Sequence, residues 1–194
     1  MHPASNGPND AAGVRVLLLP GWLDSGPGHW QTRWEQALGW LRVTQDDWLW
    51  PRRGDWMARL EDTLLASDRP AVLVAHSLGC HLVAAWAAHS QHTARVRGAL
   101  LVAPPDTERA DTPPQLFNWR PLRLQRLPFP ARVVYSSDDP FCAADRARAM
   151  ADAWCAEAHG LGLRGHVNAD SGLGDWPEGQ AWVRAMTGTI GGAL

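Results

Sequence analysis

Short runs of branched apolar residues alternate along this chain with longer stretches whose apolar positions recur at helical spacing. The short runs are Val14 to Leu19, Leu41 to Gln45, Ala71 to Ala75, Gly98 to Ala103 and Ala131 to Ser136, each rich in Val and Leu as buried parallel strands are. Helical spacing is carried by Trp30 to Leu38, Trp56 to Ala66, Cys80 to His89, Ala143 to Ala158 and Gln180 to Thr187. A sixth strand over Ala158 to Leu163 is weak, because Gly160 and Gly162 interrupt it. Strand and helix taken in turn predict an α/β protein: a three-layer α/β/α sandwich around a mostly parallel sheet of about six strands. In such sheets ligands gather at the carboxyl ends of the strands.

One stretch breaks the rhythm. Residues 104–130 hold seven prolines and little periodicity, and they leave the chain just after the GALLVA run. They are placed to shape a pocket at the strand ends and are too short for a lid domain. The first 13 residues, MHPASNGPNDAAG, contain no apolar core of a signal peptide and are expected to be a disordered tail, with residues 14–194 forming a single domain.

Composition narrows the chemistry. All 18 basic residues are arginine, so a P-loop lysine, a pyridoxal Schiff base and a catalytic lysine are excluded. The net charge of -2 gives no general attraction to nucleic acid or to an anionic membrane, and neither is expected as a partner. Three widely spaced cysteines, Cys80, Cys142 and Cys155, suggest neither a disulfide framework nor a paired zinc site, and a reducing cytoplasm fits them.

The stretch AVLVAHSLGCHLVAAW, residues 71–86, sets Ser77 between a strand and a helix in the pattern small-x-Ser-x-Gly. This is the nucleophile elbow with Ala75 in place of its first glycine. Small residues two before and two after let strand and helix approach, and the serine then projects from the top of the sheet. The amide of Leu78 follows at the helix start, where it can point at a developing oxyanion. Ser and Gly are also common at any strand-to-helix junction, so the pattern needs partners. A serine near its free pKa requires a base and an orienting acid, downstream in the order Ser, Asp, His. VVYSSDDPF offers Asp138 and Asp139 at a strand end, and GLGLRGHVNAD offers His166 after the weak last strand. Successive residues point in different directions, so both carboxylates cannot face one imidazole. The other one serves the turn or caps the following helix. Cys80 reads as a packing residue on the helix, and the spacing of His76 and His81 fits a metal poorly. No metal or other cofactor is expected. Of the 12 tryptophans most must be core, and some could line an apolar acyl pocket.

With these residues the chain resembles the small α/β-hydrolases of the retinoblastoma-binding protein nine and YdeN-like serine hydrolase family. The likeness runs from about Val14 to the last helix. It is carried by PGWLDSGPGHWQTRW at 20–34, HSLG at 76–79, DDPF at 138–141 and GHVNADSGLGDWPEG at 165–179. The resemblance implies Ser77 as nucleophile, Asp139 as the acid and His166 as the base, with an oxyanion-hole amide at Trp22. It implies esterase activity on small acyl esters and leaves carboxylesterase, thioesterase and amidase chemistry open. His29 and Trp30 in the first motif and Trp176 in the last are the candidate pocket residues, with the loop from Asn168 to Trp176 covering one side. A second class stays open beside the enzyme: a non-catalytic protein-interaction module that keeps the hydrolase fold, with the Pro-rich excursion as its candidate surface.

Overall fold

The structure, a computed structural model, describes residues 13–188. The stretch expected to be a disordered tail lies outside the described residues except for Gly13. Six strands form one sheet: β1 (Arg15–Leu19), β2 (Leu41–Arg42), β3 (Ala71–His76), β4 (Val96–Val102), β5 (Ala131–Tyr135) and β6 (Glu157–Gly160). Their order is β2-β1-β3-β4-β5-β6 and every pairing is parallel. The helices are α1 (Trp30–Leu38), α2 (Arg53–Leu65), α3 (Leu78–Ala87), α4 (Ala144–Trp154) and α5 (Pro177–Thr187).

Alternation along the strands builds the two cores. Leu17, Leu19, Leu73 and Leu101 point to one face and pack with Trp56, Leu60, Trp86 and Trp154 of α2, α3 and α4. Val16, Leu18, Val72 and Leu100 point to the other and pack with Trp30, Trp34 and Val183 of α1 and α5. Both faces are covered, which is why the strands read as continuous apolar runs rather than as alternating ones.

Element ends depart from expectation where distant groups decide them. Helix α2 begins three residues early, at Arg53, because Asn118 Oδ1 of the Pro-rich excursion accepts the Arg53 amide at 2.7 Å. Helix α4 stops at Trp154 rather than running to Ala158, since Cys155 takes the left-handed conformation at φ 57°. β6 therefore starts at Glu157 and stops at the first of the two glycines. β2 is cut to two residues at the sheet edge.

The sheet order reverses between β1 and β3. Neighbouring strands there send their following loops to opposite sides, leaving a crevice at their carboxyl ends. Ser77 ends one of these strands, and Pro20 to Trp22 follow the other.

Candidate active site

Ser77 sits at φ 54°, ψ -124°, a conformation few residues with a side chain adopt. Three local features hold it there. Its amide donates to Val102 O at 2.8 Å, tying the turn to the end of β4. A Cβ on Gly79 would lie 2.3 Å from Leu19 O, so only glycine lets α3 pass so close to β1. A Cβ on Gly21 would lie 2.6 Å from the Ser77 Cβ, so the loop after β1 can press directly on the serine. Ala75, fully buried, is accommodated where the elbow more often has glycine.

His166 reaches this serine from 89 residues away. Its Nε2 lies 2.8 Å from Ser77 Oγ, and its Nδ1 lies 2.9 and 3.0 Å from the two carboxylate oxygens of Asp139. A carboxylate only accepts, so Nδ1 carries the proton and Nε2 accepts from the serine hydroxyl. The Asp139 side chain is 3% exposed and that of His166 10%. Asp139 is in turn held by the Phe141 amide, which donates to its Oδ1 at 2.9 Å. The Phe141 ring meets the His166 ring edge-on with centroids 4.7 Å apart.

Asp138 points elsewhere. Its Oδ1 accepts from Ser136 Oγ at 2.6 Å and from the Arg164 and Gly165 amides at 2.8 Å each. It thus joins the end of β5 to the loop that carries His166. Helix capping, one of the two roles expected for it, is absent: α4 starts with no side-chain cap.

The backbone around His166 is tightly bent, with Gly165 at φ 54° and Val167 at φ 51°. Two buried side chains hold its far side. His76 Nε2–H donates to His166 O at 2.9 Å, and Trp30 Nε1–H donates to Val167 O at 2.8 Å. Burial keeps His76 neutral, pushing its pKa well below the usual histidine range. His29 stands beside it with ring centroids 4.5 Å apart and accepts the Gln31 amide on Nδ1, capping α1. Burial first, then the Arg42 guanidinium, pushes the His29 pKa down to about 3.

These contacts correct the expected pocket. Trp30 is 1% exposed, and Trp176 and His29 are 4% exposed, so none of the three offers a wall to a substrate. Trp176 packs on Trp30 and stacks on Trp34, at centroid distances of 5.2 and 5.7 Å. Together the rings make an apolar floor under the histidine loop. Their large apolar surfaces are better removed from water there than left at a strand-end crevice.

Trp22 and Leu78 carry the backbone amides expected to face an oxyanion. Among the described residues neither amide donates to a protein acceptor. Trp22 follows Gly21, the residue pressed on Ser77, and Leu78 follows Ser77 itself at the N-terminus of α3.

A family model described as serine hydrolase matches residues 16–185. The chain belongs to the serine hydrolase family. Among solved structures this serine hydrolase is similar to a protein of Pectobacterium atrosepticum assigned as YdeN-like, at 27% identity over 90% of this chain and 91% of that one, with a TM-score of 0.79. It is also similar to the ydeN gene product of B. subtilis, at 21% identity over 90% and 98% of the two chains, with a TM-score of 0.70. A Rhodococcus esterase shares the fold at 15% identity over 93% and 92%, with a TM-score of 0.66. No curated protein matches the sequence significantly. No described helix is long and apolar enough to cross a membrane.

Phe141, 52% exposed, lines two cavities of the hydrolase. One, of about 540 Å³, is bordered by His166, Asn168 and Ser171. The loop after His166 therefore does form one side of a cavity, through its polar residues rather than through Trp176. The other, of about 170 Å³, lies against Pro105, Pro113 and Leu116 of the Pro-rich excursion.

Several residues of the site were not singled out from sequence. From spacing His76 reads only as a poorly placed metal ligand, although a polar residue closing a buried VLVA run is itself a sign of a specific hydrogen bond. Gln31, fully buried in α1, donates to Leu19 O at 3.3 Å and Val74 O at 3.0 Å, and accepts from Ser25 Oγ at 2.8 Å. It stands three positions before Trp34, on the face that helix buries. Arg42 braces the loop before α1 through Asp24 and α1 itself through Thr32 and Glu35.

Proposed function

We propose that this serine hydrolase is an esterase for small acyl esters, with Ser77 as nucleophile, His166 as general base and acid, and Asp139 as the orienting carboxylate. The observation that carries the reading is the unbroken relay from Ser77 Oγ to His166 Nε2 and from His166 Nδ1 to Asp139, with the serine on a strained turn. His166 takes the Ser77 proton as Oγ bonds to the acyl carbon, and the carbonyl electron pair moves onto oxygen. The Leu78 and Trp22 amides, which have no protein acceptor among the described residues, stabilise that oxyanion. Collapse breaks the bond to the leaving alcohol, which receives the proton from His166. Water then attacks the acyl-enzyme by the same steps in reverse, and no cofactor is required.

Phe141, whose ring meets that of His166, opens onto a cavity of about 540 Å³ bordered by His166 and onto one of about 170 Å³ under the Pro-rich excursion, which leaves room beside the triad for a small-molecule ester. The apolar residues exposed at the strand-end loops, Leu23, Leu49, Phe141 and Leu163 among them, suit an uncharged ester. Three free thiols, two of them buried, favour a cytoplasmic location.

A fluorophosphonate probe tests the reading. Rapid labelling of the wild type, abolished in a folded Ser77→Ala variant together with p-nitrophenyl ester hydrolysis, is the expected result. Near-wild-type turnover by Ser77→Ala removes Ser77 as nucleophile, and an inert Ser77 in folded protein favours the interaction module. A screen over acyl length, with ester, thioester and amide leaving groups, then sorts the substrate class.

A further inference from the structure

Two consecutive aspartates lie in the loop that follows β5, and both are directed at His166 or the peptide groups before it. Asp139 takes the imidazole. Asp138 takes the peptide groups immediately before it, through one oxygen that accepts three donors: Ser136 Oγ, the Arg164 amide and the Gly165 amide. Ser136, 1% exposed, reinforces the joint: its Oγ accepts the Arg164 amide at 2.9 Å while its single proton goes to Asp138, and the same Oγ lies 3.0 Å from Gly162 O. On the far side of His166 the carbonyls of residues 166 and 167 are held by His76 and Trp30. Between these two anchorages the chain passes through two left-handed residues, Gly165 and Val167, and a β-branched residue enters that region only when its surroundings compel it.

We propose that Asp138 is a positioning residue, whose carboxylate fixes the 164–165 backbone so that the His166 ring spans Ser77 and Asp139 at once. The inference rests on the esterase reading for its kinetic consequence, and on geometry alone for its structural one. The three donors to one oxygen, Ser136 foremost, hold the Asp138 carboxyl below the usual carboxylate range, so the clamp stays ionised across the working range of a histidine base. Asp138 touches none of the reacting atoms. Releasing it leaves Asp139 and Ser77 in place and frees the loop that has to meet them.

The experiment compares Asp138→Ala, Asp138→Asn and Ser136→Ala with the wild type. Turnover is normalised to the Ser77 sites titrated by the fluorophosphonate. Misplacing a catalytic group by about 1 Å costs on the order of 100-fold, so Asp138→Ala is expected to lower kcat roughly 10- to 100-fold. KM should stay within about twofold, the signature of an interaction that acts on the transition state rather than on binding. Asp138→Asn keeps an acceptor oxygen and should recover most of kcat, while Ser136→Ala should fall between the two. Independently of any activity, the far-downfield His166 Nδ1–H resonance, assigned by its absence in His166→Gln, should be present in the wild type and Asp138→Asn. It should be lost in Asp138→Ala. Unchanged kcat and an unchanged resonance in folded Asp138→Ala overturn the proposal, as does a rise in KM at constant kcat. If Asp138→Ala does not fold, a wild-type resonance and kcat in Ser136→Ala overturn it. If the wild type hydrolyses nothing, the esterase reading fails, and the resonance still decides the positioning role.

Discussion

The two halves of the proposed active site are held in place by different physics. On the serine side the constraint is steric. A Cβ added to Gly79 would lie 2.3 Å from Leu19 O and one added to Gly21 2.6 Å from Ser77 Cβ, so these two glycines let the end of β1, its following loop and α3 close directly on the serine. On the histidine side the glycines of the loop itself, Gly165, Gly172 and Gly174, would have open space around an added Cβ. That loop is fixed by hydrogen bonds from side chains 26 to 137 residues away, namely Asp138, His76 and Trp30. A steric turn cannot relax without moving packed backbone, whereas a hydrogen-bonded loop that loses one anchor can stay folded while no longer aiming His166 as tightly. Substitutions of the packed glycines on the serine side should therefore act through folding, and substitution of the carboxylates that orient His166 mainly through turnover.

The largest expected effect tests the histidine side at its centre. Asp139→Asn should fold normally and lose up to about 10⁴ in kcat, as in the serine protease template, because the amide no longer holds the imidazole in the productive tautomer. Steady-state kinetics with thermal melting checks it, and a variant that is unstable yet active would reverse the assignment of constraint to this side. On the serine side Gly79→Ala supplies the contrast. Its new methyl must displace the Leu19 carbonyl, and overpacking of this kind costs about 1–3 kcal/mol. The melting temperature should drop clearly, and titratable Ser77 sites should disappear along with the folded fraction. A Gly79→Ala protein as stable as wild type would show that the elbow has slack.

This contrast also explains what could be read from the sequence. The sheet, the elbow and the order of a serine, an acid and a histidine were legible because each depends on local pattern: apolar runs, small residues around a serine, an acid and a histidine after strands. Local pattern did not choose between Asp138 and Asp139, and only the family resemblance pointed to Asp139. The rest depends on partners far along the chain. Asp138 reads as a turn residue until the Arg164 and Gly165 amides are seen beside it. Trp30 and Trp176 read as pocket residues because nothing local says that their rings lie under the histidine loop. The start of α2 is set by Asn118, 65 residues on.

Trp30→Phe probes one anchor of the loop with a smaller effect. It keeps an apolar ring on the Trp34 and Trp176 floor and removes the indole N–H from the Val167 carbonyl. A buried carbonyl left without its donor costs about 1–3 kcal/mol. Denaturant melts should show that loss, and kcat should fall several-fold while the elbow's amide exchange stays protected. Equal loss of protection at Ser77 and at His166 would mean that the two sides form one cooperative unit.

Acid should separate the two sides more gently. His29 and His76 are both held neutral chiefly by burial, His29 with its pKa at about 3 and His76 well below the usual range. In the unfolded chain both titrate near 6.5. Above that pH neither state binds the proton and their full contribution to stability is present. As pH falls below it, only the unfolded chain gains protons, so stability drops by about 1.4 kcal/mol per pH unit for each such group, for His29 down to about pH 3. His81, under the Pro-rich excursion with its pKa lowered to about 4, adds a slope of the same sign on the serine side. His29→Asn keeps a side-chain acceptor for the Gln31 amide and removes the titration. Melting temperatures measured between pH 7.5 and 5 should therefore fall less steeply in His29→Asn than in wild type. Amide exchange over 165–168 should rise at a higher pH than exchange at the elbow, because His76 and His29 stand on the histidine side. An unchanged slope in His29→Asn would assign the acid sensitivity to other groups, and simultaneous opening of both sides would erase the distinction between them.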